Sequence, residues 1–130
     1  MTITNQAVYE QAHKILTRIY GAGAAFRDGQ YEAIEATMTK RRTLVVQKTG
    51  WGKSLVYFLS TEMNRSKGHG ATLVISPLLV LMDNQMEFAR GMGLRCAVLN
   101  STVKKGSSER LSILQQWQRD EIDVLFITPE

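Results

Sequence analysis

The segment of residues 47–54 combines residue types that bind phosphate groups. It reads Gln-Lys-Thr-Gly-Trp-Gly-Lys-Ser, and it lies between an apolar run, residues 44–46, and a stretch of helical character, residues 55–63. A strand, a glycine-rich turn, Lys-Ser and a helix together form the pattern of a phosphate-binding loop. Gly50 and Gly52 allow the backbone to curl so that successive N–H groups point into one concavity. The sequence therefore predicts binding of a nucleoside triphosphate.

Four further residues of this loop have predicted roles. Lys53, the candidate catalytic residue, would reach the β- and γ-phosphates, and the Ser54 hydroxyl would bind Mg²⁺. The positive end of the helix that begins here faces the same point. Thr49 and Trp51 complete the cofactor-binding loop, and Trp51 can pack over the nucleotide or against a second domain. Gln47 departs from the general pattern, which has glycine there, and the alternative interpretation is a surface turn that contains glycine and lysine by chance.

Composition sets the broad class of the protein. The chain has 130 residues, 44% of them hydrophobic, which fits one globular domain with a real core. Its net charge of +4 permits a nucleic-acid partner. The single cysteine, Cys96, excludes a disulfide framework and a cysteine zinc site, and its apolar neighbours predict a buried, reduced thiol. With neither a secretory signal nor a membrane-spanning stretch in view, we expect a cytoplasmic protein, or one of the nucleoid or nucleus, without a membrane partner.

Apolar runs alternate with amphipathic segments along the chain, and this order predicts an α/β fold. The strands are continuous apolar or β-branched runs, which is typical of strands buried on both faces of a parallel sheet covered by helices. Thr4 or Asn5 is the predicted cap of the first helix, and Asp28 that of the second. The predicted helices cover residues 6–20, 30–39, 53–65, 79–90 and 108–119, and the predicted strands cover 43–46, 71–75, 94–99 and 122–127.

Several stretches, in order, resemble the RecQ-type DNA helicases of superfamily 2, over about residues 20–130. The resemblance implies a P-loop NTPase fold, a RecA-like three-layer α/β/α domain with a mainly parallel sheet, incomplete in this chain. Residues 1–20 would form an N-terminal helix, and residues 21–130 a partial ATP-binding domain that ends before the family's Asp-Glu-x-His motif. The matching stretches are Phe-Arg-Asp-Gly-Gln at 26–30 with Ala-Ile at 33–34, Thr-Gly-Trp-Gly-Lys-Ser at 49–54, Ser-Pro-Leu at 76–78 with Asp83 and Gln85, Leu-Asn-Ser-Thr at 99–102, and Ile-Thr-Pro-Glu at 127–130.

The resemblance also implies how the base is recognised. The family uses the glutamine of the first stretch to read adenine, which assigns this role to Gln30, with Arg27 in support. A glutamine side chain carries both a donor and an acceptor, and the edge of adenine needs both. Family members place an aromatic residue three positions before Phe26, where it stacks on the base. This chain has Gly23 there, and Tyr20 is the candidate replacement.

A second set of residues is implied to contact DNA. Each follows a predicted strand, at the edge where open α/β sheets bind ligands, and contacts to the DNA backbone position a strand without reading its sequence. The implied partner is a single strand or fork of DNA. As isolated polar loops these residues would be structural. The set consists of Ser76, Pro77, Asn100, Ser101 and Thr128.

The resemblance thus implies an ATP hydrolase, with ATP and Mg²⁺ as cofactors, that couples hydrolysis to movement on DNA or unwinding of it. The sequence leaves three alternatives open: another superfamily 2 translocase, a nucleotide kinase or other P-loop transferase, and a non-catalytic nucleic-acid-binding P-loop module. Because this sequence contains neither the Asp-Glu-x-His motif nor the family's second RecA-like domain, we expect no meaningful ATPase activity from these 130 residues alone.

Overall fold

The structure, a computed structural model, describes residues 5–39, 42–48, 50–76, 79–100 and 106–128. The chain divides into two compact units, Met1–Asn64 and Arg65–Glu130. None of the helices in the described ranges is both long and apolar enough to cross a lipid bilayer. In chain order the elements are α1 (Asn5–Tyr20), α2 (Gln30–Met38), α3 (Lys53–Ser66), β1 (Thr72–Ile75), α4 (Leu79–Gly91), β2 (Cys96–Leu99), α5 (Ser108–Gln118) and β3 (Val124–Ile127).

In the first unit, α1 is amphipathic and packs against α2. Its apolar residues recur at helical spacing, and four of them, Val8, Ala12, Ile15 and Leu16, are buried. These four residues are the buried face expected of the amphipathic helix predicted over residues 6–20. The guanidinium of Arg18 forms an ion pair with Glu62 on α3, so α1 is also fastened to the helix that follows the phosphate-binding loop.

The start of α2 differs from the predicted cap. Residue Gly29, with φ of 84°, is the N-cap of α2, and the turn closes through the bond from Gln30 N to Arg27 O at 2.9 Å. Glycine adopts this left-handed conformation at little cost, so the helix begins after Gly29 and the predicted Asp28 cap is wrong. Helix α1 begins at Asn5, which therefore lies inside the helix, and Thr4 lies outside the described residues.

The predicted strand over residues 43–46 is wrong. Residues 42–48 have no regular secondary structure, and Leu44 and Val46 are 88% and 79% exposed. A strand exists only through the hydrogen bonds it makes to a neighbouring strand. None of the ladders in the described sheet includes this apolar run.

The second unit contains a parallel three-stranded sheet in the order β1-β3-β2. Ile75 of β1 and Leu99 of β2 both lie in register with Ile127 of β3. The parallel pairing confirms the expected α/β class. Both α4 and α5 contact β2, as expected for helices that connect parallel strands.

Burial differs between the strands of this sheet. The central strand β3 is buried through residues 124–126, as predicted for a strand covered on both faces. Strand β1 alternates instead, with Leu73 and Ile75 51% and 64% exposed, so that prediction is wrong for β1. In the described sheet β1 has one neighbour, whereas β3 has two. The predicted buried Cys96 is only half-buried, although burial still raises the pKa of its thiol to about 11.

A cluster of charged side chains lies where β2 and β3 begin. Asp123, buried just before β3, accepts hydrogen bonds from Arg65 Nε at 2.8 Å, from Arg95 Nη2 at 3.0 Å and from the backbone N–H of Arg95 at 2.8 Å. The carboxylate and carbonyl oxygens of Asp120 also accept from Arg65, at 2.7 and 3.1 Å. This cluster fastens the end of α3 to the residues that enter the two strands.

Candidate nucleotide-binding site

The two glycines of the phosphate-binding loop adopt conformations that only glycine takes readily. Gly50 and Gly52 adopt φ values of 86° and 101°, in the left-handed region that favours glycine. The N–H of Trp51 donates to the carbonyl of Lys48 at 3.1 Å, which closes a turn before α3 begins at Lys53. The loop therefore turns tightly and leads directly into the start of a helix.

The groups that would hold phosphates and a cation follow this turn. Lys53 is exposed and Ser54 is half-buried, while Thr49 lies outside the described residues. The first N–H groups of a helix have no partner inside the helix, and they carry its positive end. An exposed ammonium, a hydroxyl and this set of donors fit a polyphosphate with its Mg²⁺.

The predicted base-reading residues lie directly against this loop. The guanidinium of Arg27 donates to the carbonyl of Gly50. The side-chain oxygen of Gln30 accepts from Arg27 N at 2.8 Å, and its Nε2 lies 3.3 Å from the carbonyl oxygens of both Trp51 and Gly52. The structure thus brings together two motifs that are more than 20 positions apart in the sequence.

These contacts show a feature of Gln30 that the sequence did not indicate. Gln30 is only 3% exposed, and both ends of its amide already have partners. A Cβ atom on Gly52 would come within 2.5 Å of Gln30 Nε2, so a larger residue there would displace the Gln30 amide from its present position. Gln30 must therefore release the loop carbonyls before its amide can donate to a base.

Trp51 faces the same upstream segment. Its indole Nε1 donates to the carbonyl of Asp28 at 3.0 Å, and its six-membered ring would lie 3.6 Å from a Cβ atom on Gly29. Both positions offered by the sequence, over the nucleotide or against a second domain, stay predictions. Because the partner is a backbone carbonyl, no residue type in the sequence could have indicated this contact.

An aromatic-lined cavity of about 330 Å³ lies beside Arg27, and the sequence did not reveal it. Tyr9 of α1 and Phe26 contribute rings to it, with their centroids 6.3 Å apart. Tyr31 packs edge-on against Tyr9 at 5.0 Å. Tyr20, the candidate replacement for the aromatic residue absent at position 23, is 56% exposed and does not line this cavity.

In the second unit, three of the predicted DNA-contacting residues share one edge of the sheet. Ser76, Asn100 and Thr128 each come directly after a strand, and the three strands are parallel neighbours. Ser76 N donates to the carbonyl of Ile127 at 3.0 Å, and Thr128 N donates to the carbonyl of Leu99 at 3.3 Å. Since neighbouring strands are about 4.8 Å apart, the three residues form a row roughly 10 Å long.

These residues differ in how accessible they are. Ser76 and Asn100 are half-buried, whereas Thr128 is 7% exposed. An external phosphate would therefore meet Ser76 and Asn100 more readily than Thr128. Pro77 and Ser101 lie outside the described residues.

Comparison with known proteins identifies the family of the chain. The sequence profile of the DEAD/DEAH box helicase family matches residues 27–130. The chain is 32% identical to ATP-dependent helicase SGS1 of Saccharomyces cerevisiae over 98% of its own length, and 35% identical to ATP-dependent DNA helicase RecQ of Synechocystis sp. over 93%. It is also 32% identical, over 92% of its length, to ATP-dependent DNA helicase Q-like 2 of Arabidopsis thaliana.

The chain spans 9%, 24% and 16% of the lengths of these three relatives. The profile match begins at Arg27, the residue that donates to the loop carbonyl, and continues through the phosphate-binding loop and all three strands. The match also confirms the expected P-loop, RecA-like fold class. The chain therefore belongs to the DEAD/DEAH box helicase family, and over most of its length it is similar to RecQ-type members.

Proposed function

We propose that this chain is the nucleotide-binding part of an ATP-dependent DNA helicase. The observation that supports this most is the contact of Arg27 and Gln30 with the carbonyl groups of the phosphate-binding loop. A generic phosphate site needs only the loop and the helix behind it. A donor–acceptor side chain fixed beside that loop adds the means to choose a base.

Different residues of the site would bind different parts of MgATP. Lys53 would neutralise charge on the β- and γ-phosphates, and Ser54 would occupy one position on Mg²⁺. The N–H groups at the start of α3 would bind phosphate oxygens. MgATP, when bound, supplies the free energy of phosphoryl transfer that a helicase couples to movement.

We expect replacement of Gln30 by alanine to remove the preference for ATP over GTP. The amide makes one donor and one acceptor contact with adenine, and each net hydrogen bond is equivalent to a factor of about 2 to 10 in affinity. The affinity for MgATP should therefore fall roughly tenfold, to within about twofold of the affinity for MgGTP. Isothermal titration calorimetry with both nucleotides on the 130-residue chain measures this directly.

Two further variants test the reason for that result. Gln30→Glu keeps the acceptor for Arg27 N but has no amide donor, so it should lose ATP preference as well. Gln118→Ala, at an exposed position at the end of α5, is the matched control and should bind like the unaltered chain. Equal affinities of the unaltered chain for ATP and GTP would contradict base reading by Gln30.

We propose that the DNA partner lies along the carboxyl edge of the sheet. The support is the row in which Ser76 and Asn100 follow the two outer strands of the described parallel sheet, β1 and β2, on either side of β3, on the edge where open α/β sheets bind ligands. The chain's net charge of +4 would favour approach of a polyanion. A hydroxyl and an amide at this edge are suited to the sugar–phosphate backbone.

The double variant Ser76→Ala with Asn100→Ala should bind a single-stranded oligonucleotide roughly tenfold more weakly, because two hydrogen bonds from uncharged side chains are lost. The loss should be the same for every base sequence. The dependence of the affinity on salt should keep its slope, because neither side chain is charged. Fluorescence anisotropy over a range of salt concentrations, with oligo(dT) and a mixed sequence, measures both quantities. Unchanged affinity, or a loss confined to one sequence, would contradict backbone contact.

A further inference from the structure

Trp51 lies where the base-reading segment, residues 27–30, meets the phosphate-binding loop. Its backbone N–H donates to Lys48 O at 3.1 Å, and its carbonyl lies 3.3 Å from Gln30 Nε2. Its indole Nε1 donates to the carbonyl of Asp28 at 3.0 Å. One residue thus has hydrogen-bond contacts both within the loop and with the segment upstream of it.

The contacts between residues 27–30 and the phosphate-binding loop are of two kinds. Three of them use the side chains of Arg27 and Gln30, the residues assigned to the base. Gln30 has to give up its contacts with the loop carbonyls when its amide donates to a base instead. The bond from Trp51 ends on a backbone carbonyl and uses neither side chain. It can therefore persist while Gln30 changes partner.

The hydrogen bond from the Trp51 indole to Asp28 ends just before α2 begins. Asp28 and Gly29 form the junction that leads into α2, and Gln30 is the first residue of that helix. The Trp51 ring also lies 3.6 Å from where a Gly29 Cβ would stand, an ordinary van der Waals separation, so the indole lies directly beside Gly29. Fixing Asp28 and Gly29 against the loop fixes where α2 starts, and hence where Gln30 presents its amide.

We propose that Trp51 is a positioning residue that holds the base-reading segment in register with the phosphate-binding loop, so that base and phosphate recognition act on one nucleotide. This inference rests on the proposed nucleotide site. Trp51, the residue between the two glycines of the loop, therefore has a role in ATP selectivity. Trp51 acts through Asp28 and Gly29 and does not contact the reacting atoms.

The experiment compares Trp51→Phe and Trp51→Ala with the unaltered 130-residue chain. Trp51→Phe keeps an aromatic ring but has no N–H donor, so it isolates the bond to Asp28. Trp117→Phe, on α5 in the second unit, is the matched control for loss of an indole. The first measurement is hydrogen exchange, without nucleotide, of the amides of residues 28–33, which include Gln30 N and Ala33 N of the α2 start.

The second measurement is affinity for two ligands, MgATP and magnesium tripolyphosphate, which has phosphates but no base. We expect both Trp51 variants to exchange faster over residues 28–33. They should bind MgATP about fivefold more weakly, within the range for one hydrogen bond, and bind tripolyphosphate within about twofold of the unaltered chain. Trp117→Phe should change none of these values.

Three results would overturn the inference. Unchanged exchange in Trp51→Ala would show that the indole does not hold the segment. Equal losses for ATP and tripolyphosphate would show that Trp51 shapes only the phosphate site. Full ATP affinity in Trp51→Phe together with loss in Trp51→Ala would show direct packing on the nucleotide. If the unaltered chain bound neither ligand, the proposed nucleotide site would fail, while hydrogen exchange would still decide the role of Trp51.

Discussion

With alanine in place of Lys53, the chain is expected to bind MgATP at least about 100-fold more weakly than the unaltered chain. Lys53 is exposed at the first residue of α3, directly after the Gly50–Gly52 turn. The other described groups that would face the phosphates are the uncharged backbone N–H donors at the start of α3 and the Ser54 hydroxyl. Removing the ammonium therefore leaves the triphosphate charge without its cationic protein partner, and a charge-assisted contact is about twice as strong as a neutral one. Isothermal titration calorimetry at constant Mg²⁺ measures the change.

The matched control is Lys48→Ala, which removes an exposed lysine from the residues just before the turn. It should lower the affinity by less than about threefold, since screening by salt weakens an interaction between exposed charges. Circular dichroism should show the same helix content in both variants and in the unaltered chain. Equal losses in the two variants would mean that only general positive charge attracts the nucleotide. That result would contradict a specific phosphate contact by Lys53.

The second large effect is expected on stability, from Asp123→Ala. The Asp123 carboxylate is 10% exposed and accepts hydrogen bonds from Arg65 and Arg95, side chain and backbone. Removing one partner of a buried ion pair leaves the others without compensation, and we expect a cost of about 3 kcal/mol. For a chain of this size that corresponds to a fall in Tm of roughly 10 °C. Urea and thermal unfolding followed by circular dichroism measure both values.

The same carboxylate predicts a pH dependence. Burial alone raises the pKa of Asp123, but the hydrogen bonds donated by Arg95 and Arg65 outweigh it, so the pKa lies below its ordinary value. A carboxylate with a lowered pKa in the folded state stabilises the protein fully above its unfolded pKa, which is about 3.9. That stabilisation is lost as the pH falls through the folded pKa. The stability difference between the unaltered chain and Asp123→Ala should therefore be constant from pH 7 to about pH 5 and shrink below about pH 4.

Asp120→Asn is the matched control for the Asp123 measurements. The Asp120 side chain is 70% exposed and pairs with Arg65, and exposed ion pairs contribute about 0–1 kcal/mol. Its φ of 59° is in the left-handed region, which asparagine also tolerates, so the backbone should not be strained. A loss as large as that of Asp123→Ala would show that the ion pair with Arg65, rather than the buried carboxylate, holds the cluster together. A stability difference that persists unchanged at pH 3 would contradict the lowered pKa.

Local features of this chain were predictable because they depend on residues close together in sequence. Gly50 and Gly52 adopt the left-handed conformations that a phosphate-binding loop needs, and α3 begins at Lys53 as predicted. The helical spacing of Val8, Ala12 and Ile15 correctly indicated the buried face of α1. Each of these features follows from backbone preference or side-chain period within one turn or one helix.

The predictions that were wrong depend on how a segment pairs or connects with its neighbours. The apolar run at residues 43–46 has the composition of a buried strand, yet Leu44 is 88% exposed and the run has no ladder in the described sheet. Composition shows that a segment can form a strand, but pairing depends on a neighbour at the right distance. The Asp28 cap failed for a related reason, because the left-handed turn at Gly29 moved the start of α2 past it.

The sequence by itself determined the phosphate-binding loop motif and the alternating elements that make an α/β fold, and its resemblance to RecQ-type helicases named Arg27 and Gln30 as the candidate base-reading pair. Only the tertiary structure decided which groups bond to each other. The Gln30 amide donates to a carbonyl of the loop, and the Trp51 indole donates to the carbonyl of Asp28, 23 positions away. The Asp123 carboxylate accepts from Arg65, 58 positions away. Residue type specifies that a buried donor or acceptor must find a partner. The partner that a group finds depends on the distances that folding sets between segments. Two of these three contacts end on backbone carbonyls, which every residue type carries, so residue type could not have indicated them.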